Sequence, residues 1–239
     1  MKECGIFYFD ENHIYNFSYR QALKDGKFQL ETSYTDGYKR LNKEGRSKGS
    51  RNYFFAEYKG RKKNLFFNDS EINFKLQNVS QQNYIRVNKL NTELFKEDIN
   101  ILENILRIQS YGLNKRIDIK SGAYKNLNVD DSSKYTYFFP DGIFSYNSNK
   151  NKYFNLNFNS YFQGKKFEKT QKQGKIKNNL LITSKQINNK NLGVGSILKF
   201  SLFNKNIYND DVTGLKDNLN INNNFSIAID NQWPLAKIN

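Results

Sequence analysis

The stretch "YFNLNFNSYFQ", residues 153–163, decides how this chain is read. Phe154, Leu156, Phe158 and Phe162 share one parity, and Asn155, Asn157 and Asn159 share the other. Side chains alternate faces with period two along a strand, whereas a helix of period 3.6 would scatter both sets around its surface. The pattern therefore predicts one strand with an aromatic face and an amide face. Its length matters as much as its alternation. A strand of a soluble domain typically runs about 5–6 residues, and a strand tilted across a bilayer needs about 9–11.

The same texture recurs along the chain. Tyr15, Phe17 and Tyr19 alternate with Asn16, Ser18 and Arg20, and "KDGK" (24–27) supplies an Asp-Gly hairpin signal. Phe28, Leu30, Thr32 and Tyr34 then alternate with Gln29, Glu31 and Ser33. Further strands are expected at 52–60, 71–79, 118–129, 178–186, 192–203 and 224–235. Segment 99–112 fits either a helical stripe or a strand face, and its strand-rich surroundings favour the strand. "YFFPDGIFSYN" (137–147) carries a Pro-Asp-Gly turn signal. Segments 37–51, 80–98 and 204–223 read as long polar loops, and lysine-rich 164–177 as a connection. Trp233-Pro234 interrupts the last strand, since proline cannot donate to a ladder. No fixed-period repeat or separating linker divides residues 1–239, so a single region is expected.

Composition bounds the environment. The chain has 239 residues, 37% apolar and 15% aromatic, with a net charge of +15, and its mean hydropathy is −0.83. Disordered chains are poor in aromatics, and a soluble core normally carries more aliphatic residues. The charge suits an anionic partner, although Asn, Lys, Ile, Phe and Tyr are also what AT-rich codons encode. One cysteine, Cys4, forbids an internal disulfide, and one histidine, His13, forbids a His-pair metal site. No apolar run approaches the roughly 20 residues of a transmembrane helix. In hydrocarbon every backbone polar group must be paired, which leaves a closed barrel as the spanning alternative. The fold expected is all-β: an antiparallel up-and-down meander of about ten long strands, part of a large transmembrane β-barrel. Short turns alternating with long loops suit it. Phe154, Leu156, Phe158 and Phe162 would then face lipid, and Asn155, Asn157 and Asn159 a wet lumen.

Candidate chemistry is sparse. Asp130-Asp131 and Asp210-Asp211 lack calcium-loop spacing and read as solvated turns. "GVG" (193–195) is followed by no lysine-serine pair, so it is no phosphate loop. His13 reads as a strand-end residue and Cys4 as part of a short apolar patch. The lysine-rich segments 39–51 and 164–177 read as solvated loop tips rather than a nucleic-acid surface. No catalytic site, cofactor or metal is expected.

Five ordered segments carry a resemblance. "FSYRQALKDGKFQLETSYT", "NVSQQNYIRVNKLN", "INILENILRIQSYGLNKRIDIKSGAYKNLN", "YFFPDGIFSYNS" and "NNNFSIAIDNQWPL" resemble, in that order, stretches of the LPS-assembly outer-membrane proteins (LptD, the organic-solvent-tolerance family). They look most like alphaproteobacterial members with AT-rich genomes. "NVSQQ" looks like that family's strand-ending turn, "YFFPDGIFSYNS" like its proline-containing strand entry, and Trp233-Pro234 like its Trp-x-Tyr-Pro strand. The resemblance implies a barrel that inserts lipopolysaccharide into the outer leaflet. Its implied partners are lipopolysaccharide, membrane lipid, a lipoprotein plug subunit and a periplasmic LPS bridge, with no nucleic acid. The bridge docks on an N-terminal periplasmic jelly-roll absent from these residues, and no signal peptide is visible, so an internal stretch of such a barrel is expected. The other classes that fit the residues are a porin or autotransporter translocator and a soluble β-rich glycan- or nucleic-acid-binding module.

Overall fold

A computed structural model describes residues 2–9, 12–36, 50–81, 84–87, 90, 92–95, 100–129, 134–167, 171–189, 194–212, 214–215 and 218–232. Thirteen strands and one short helix form among them. They are β1 (Lys2–Phe9), β2 (Asn12–Leu23), β3 (Gly26–Thr35), β4 (Arg51–Lys63), β5 (Asp69–Val79), α1 (Tyr84–Val87), β6 (Ile101–Tyr111), β7 (Lys115–Asn126), β8 (Tyr135–Ser148), β9 (Phe154–Phe167), β10 (Gln171–Ser184), β11 (Ile187–Asn189), β12 (Val194–Asp210) and β13 (Asn218–Gln232). From β1 to β10 each strand pairs with its sequence neighbour, and β10 and β13 flank β12. β11 continues the line of β10 along the same side of β12 after a one-residue offset. All pairings are antiparallel, so the architecture is a meander in one open sheet.

The strands exceed the expected number and length. β12 spans 17 residues, and β8, β9 and β10 span 14 each. The supposed connection 164–177 is mostly strand: β9 runs on to Phe167 and β10 starts at Gln171, with Gln171 opposite Phe167. Within it Lys175 and Lys177 alternate with Gly174, Ile176 and Asn178, a strand period that the density of charge had concealed. Likewise the supposed loop 204–223 contains the end of β12 and the start of β13, paired through Asn209 and Asn218. Within 37–51 only the last two residues are described, Arg51 opening β4.

Two local signals resolve differently from expectation. The β2–β3 turn uses Lys24 and Asp25, and Gly26 already pairs with Leu23. Gly26 is needed for close approach: a Cβ there would lie 2.4 Å from the carbonyl oxygen of Lys59. Pro140 marks no turn and no strand entry. It sits inside β8, where the register shifts between Phe138 and Asp141. Phe139 and Pro140 are looped out of the ladder, as suits a residue that cannot donate. On the partner strand Gly122 takes a φ of 155° with Asn104 oxygen 1.9 Å from any added Cβ, a place only glycine fills.

The dry core is small and comes from a segment that reads as polar. The β5–β6 connection includes α1 and turns Tyr84, Ile85, Leu90 and Phe95 onto Ile14, Tyr53, Phe55, Val79, Leu102 and Leu127. Tyr53 and Phe55 stack at 4.7 Å, and Phe55 meets Phe95 at 5.5 Å. Polar contacts fasten the segment down. The Tyr84 and Ser33 hydroxyls are 2.8 Å apart, Gln77 Nε2 donates to Leu94 O at 2.8 Å, and Thr92 donates to Glu31. Four apolar residues spaced irregularly carry no helical or strand period, which is why the packing was invisible in the pattern.

Candidate functional site

The registers divide the sheet into two faces, and β9 shows the division. Phe158 lies between Tyr146 of β8 and Leu180 of β10, Leu156 pairs with Ile182, and Phe162 with Ile176. Asn157 lies between Asn147 and Leu181, Asn159 between Ser145 and Asn179, and Asn155 opposite Thr183. Phe154, Leu156, Phe158 and Phe162 are thus together on one face, and Asn155, Asn157 and Asn159 on the other. Tyr153 precedes the strand and carries Lys152 over its ring at 6.0 Å.

Because a ladder aligns faces strand by strand, the apolar row can be followed across the sheet. It contains Tyr15, Phe17 and Tyr19 in β2, Phe28 and Leu30 in β3, Phe54 and Tyr58 in β4, and Phe74 and Leu76 in β5. It continues through Leu106 and Ile108, Ile117 and Ile119, and Phe144 and Tyr146. Past β9 it passes Ile176, Leu180 and Ile182, then Phe200 and Leu202, to Phe225, Ile227 and Ile229. Nothing among the described residues covers this face: Phe225, Ile227 and Ile229 are 61%, 62% and 60% exposed.

A polar row crosses the apolar face at one level. Ser160 Oγ donates to Asn178 Oδ1 at 2.7 Å, Asn178 Nδ2 to Asn204 Oδ1 at 3.3 Å, and Asn204 Nδ2 to Asn223 Oδ1 at 2.5 Å. Each side-chain polar group on this row finds its partner on the next strand. No single strand could have announced this, since the partners come from β9, β10, β12 and β13.

The opposite face carries the charge. Lys59 contacts Glu57 at 2.9 Å, Arg61 Glu71 at 2.8 Å, Lys75 Glu103 at 2.8 Å and Lys120 Asp141 at 3.2 Å. At its centre Arg107 grips Asp118 with two nitrogens, Nε at 2.9 Å and Nη2 at 2.6 Å, while Gln109 donates to the same carboxylate at 2.7 Å. Lys75, Glu103, Arg107, Asp118, Lys120 and Asp141 line a cleft of about 480 Å³ beside Tyr124 and Tyr161. The α1 segment closes one end of this face, and burial pushes the Tyr84 phenol above its ordinary pKa.

The remaining sequence candidates do not converge. His13 is exposed near the start of β2, Cys4 pairs with Phe17 in the β1–β2 ladder, and Gly195 lies inside β12. Asp210 ends β12 and Asp211 follows with a φ of 54°, a left-handed position that Asp tolerates. Asp130, Asp131 and Trp233-Pro234 lie outside the described residues. Among the described residues no group of three His, Cys, Asp or Glu side chains is placed to hold a metal, and no helix is long and apolar enough to cross a membrane, which leaves strands untouched. No family model matches the chain, and no curated protein matches it.

Proposed function

We propose that this chain forms part of the wall of an outer-membrane β-barrel of the LPS-assembly type, whose task is to insert lipopolysaccharide into the outer leaflet. One observation carries the barrel reading. Across consecutive antiparallel pairings an aromatic and aliphatic row, crossed at one level by the Ser160–Asn223 polar row, keeps to one exposed face, and the ion pairs keep to the other. A soluble β module does the reverse: it buries its apolar face in a dry core. Here the only dry cluster among the described residues sits beside Glu31 and Glu57, on the charged face. In water an uncovered apolar row across so many strands invites aggregation; against acyl chains it is the stable arrangement. Hydrocarbon tolerates no unpaired edge, so in the proposed barrel the β1 and β13 edges are both paired.

The lipopolysaccharide assignment is supported by the five resembling segments in their order and by an electropositive wet face. In this reading Phe154, Leu156, Phe158 and Phe162 meet acyl chains, while Asn155, Asn157 and Asn159 line the lumen. A lipoprotein plug and a periplasmic LPS bridge complete the translocon. The test is site-specific. A photo-crosslinking phenylalanine analogue at 157 should capture lipopolysaccharide in cells, and the same analogue at 158 should capture phospholipid. A porin or autotransporter translocator would give no lipopolysaccharide adduct at 157. A chain that is monomeric in buffer without detergent would refute every barrel reading.

A further inference from the structure

The charged face has two unlike halves. Over β4 to β8 its cations sit beside carboxylates, as described above. Over β9, β10 and β12 the same face presents Lys165, Lys175, Lys177 and Lys205. The described residues of those three strands place no carboxylate on that face. The flanking ones are Asp141 of β8, which is held by Lys120, and Asp230 of β13, which is held by Lys199. Lys177 lies directly opposite Lys205 in the ladder, Lys175 is two residues from Lys177, and Lys175 is within electrostatic reach of Lys177, Lys205 and Lys165. Like charges directly opposed across strands destabilise a sheet, and four gathered here with no carboxylate among the described residues of their own strands call for a counter-charge from outside. Tyr161 marks the border: it meets Asp141 on one side and carries Lys175 over its ring at 5.9 Å. Beside the lysines on the same strands stand amides, among them Gln163, Gln173 and Asn179. Ammonium groups neutralise phosphate, and side-chain amides match sugar hydroxyls with donors and acceptors together.

We propose that this lysine cluster is a binding site for a phosphorylated saccharide, its phosphates on Lys165, Lys175, Lys177 and Lys205 and its hydroxyls on the flanking amides. The site rests on the registers and on charge complementarity. It deepens the lipopolysaccharide reading by naming where a phosphorylated headgroup is held, yet it needs no membrane to be measured.

The experiment is calorimetric titration of the full chain with glucose 1,6-bisphosphate and, separately, with inorganic pyrophosphate. It is run in a neutral detergent, or in plain buffer should the chain prove soluble there, an outcome that sinks the barrel reading and leaves this one measurable. Saturable binding of the sugar bisphosphate is expected, tighter than pyrophosphate. Lys175→Gln with Lys177→Gln should weaken it by about tenfold or more, the worth of losing charge-assisted hydrogen bonds. Lys120→Gln, which removes one positive charge from the paired half, should leave it within about twofold. An equal loss with Lys120→Gln reduces the effect to overall charge and overturns the site. Pyrophosphate binding as tight as the sugar bisphosphate overturns the saccharide part, and no saturable binding of either overturns the proposal whole.

Discussion

Placing an arginine at Phe158 tests the two faces most directly. On the apolar face of β9 the row runs from Phe154 to Phe162, with Phe158 at its centre. Eight residue steps at about 3.3 Å give about 26 Å along the strand, and a tilt of about 40° lowers that to about 20 Å, close to the roughly 25 Å apolar band of outer-membrane barrels. In the proposed barrel Phe158 would sit near the midplane, flanked by Tyr146, Leu180 and the Phe144 ring at 6.1 Å. An arginine at a lipid-facing midplane position costs about 2–4 kcal/mol. Asn157→Arg, one residue away, turns to the polar face between Asn147 and Leu181 and should cost under about 0.5 kcal/mol, the ordinary range for a wet surface. The assay is urea unfolding from phospholipid vesicles, followed by the loss of the fast-migrating unboiled band on a gel. Equal costs at 157 and 158, or a larger one at 157, would refute the assignment of faces.

Other outcomes follow from the packing. Phe55 is fully buried against Tyr53 and Phe95, so Phe55→Ala should lower stability by about 3–5 kcal/mol, read as a shift of the urea midpoint. Tyr84→Phe leaves the buried Ser33 hydroxyl without its partner and should cost about 1–3 kcal/mol, most of it recovered when Ser33→Ala is added; failure of that recovery would separate the two side chains. Asn178→Leu breaks the amide row between Ser160 and Asn204 and should cost about 1 kcal/mol in vesicles, a typical value for polar contacts in lipid. If Asn178→Leu stabilises the protein instead, that row carries no weight.

Local alternation was enough to read much of the fold. In β2, β3, β5 and β9 aromatic and polar residues trade places with strict parity, and the backbone has no other way to separate them. Where charge or a turn residue broke the visual pattern, the reading failed. Lys165, Lys175 and Lys177 hid the hairpin of β9 and β10, and Pro140 suggested a turn where β8 accommodates a bulge. The candidate site was half legible: the membership of each β9 face was there, while the ion-paired cleft around Asp118 and the lysine cluster were not.

By itself the sequence determined that this is a chain of long two-faced strands, because period-two alternation is a property of neighbouring residues. Only the tertiary structure decided which strands share a ladder and in what register. That register sets Arg107 against Asp118, lines Ser160 up with Asn178, Asn204 and Asn223, and gathers four lysines from three strands. It also folded the irregular β5–β6 segment onto Phe55. Such contacts join residues tens of positions apart, and no local period records them.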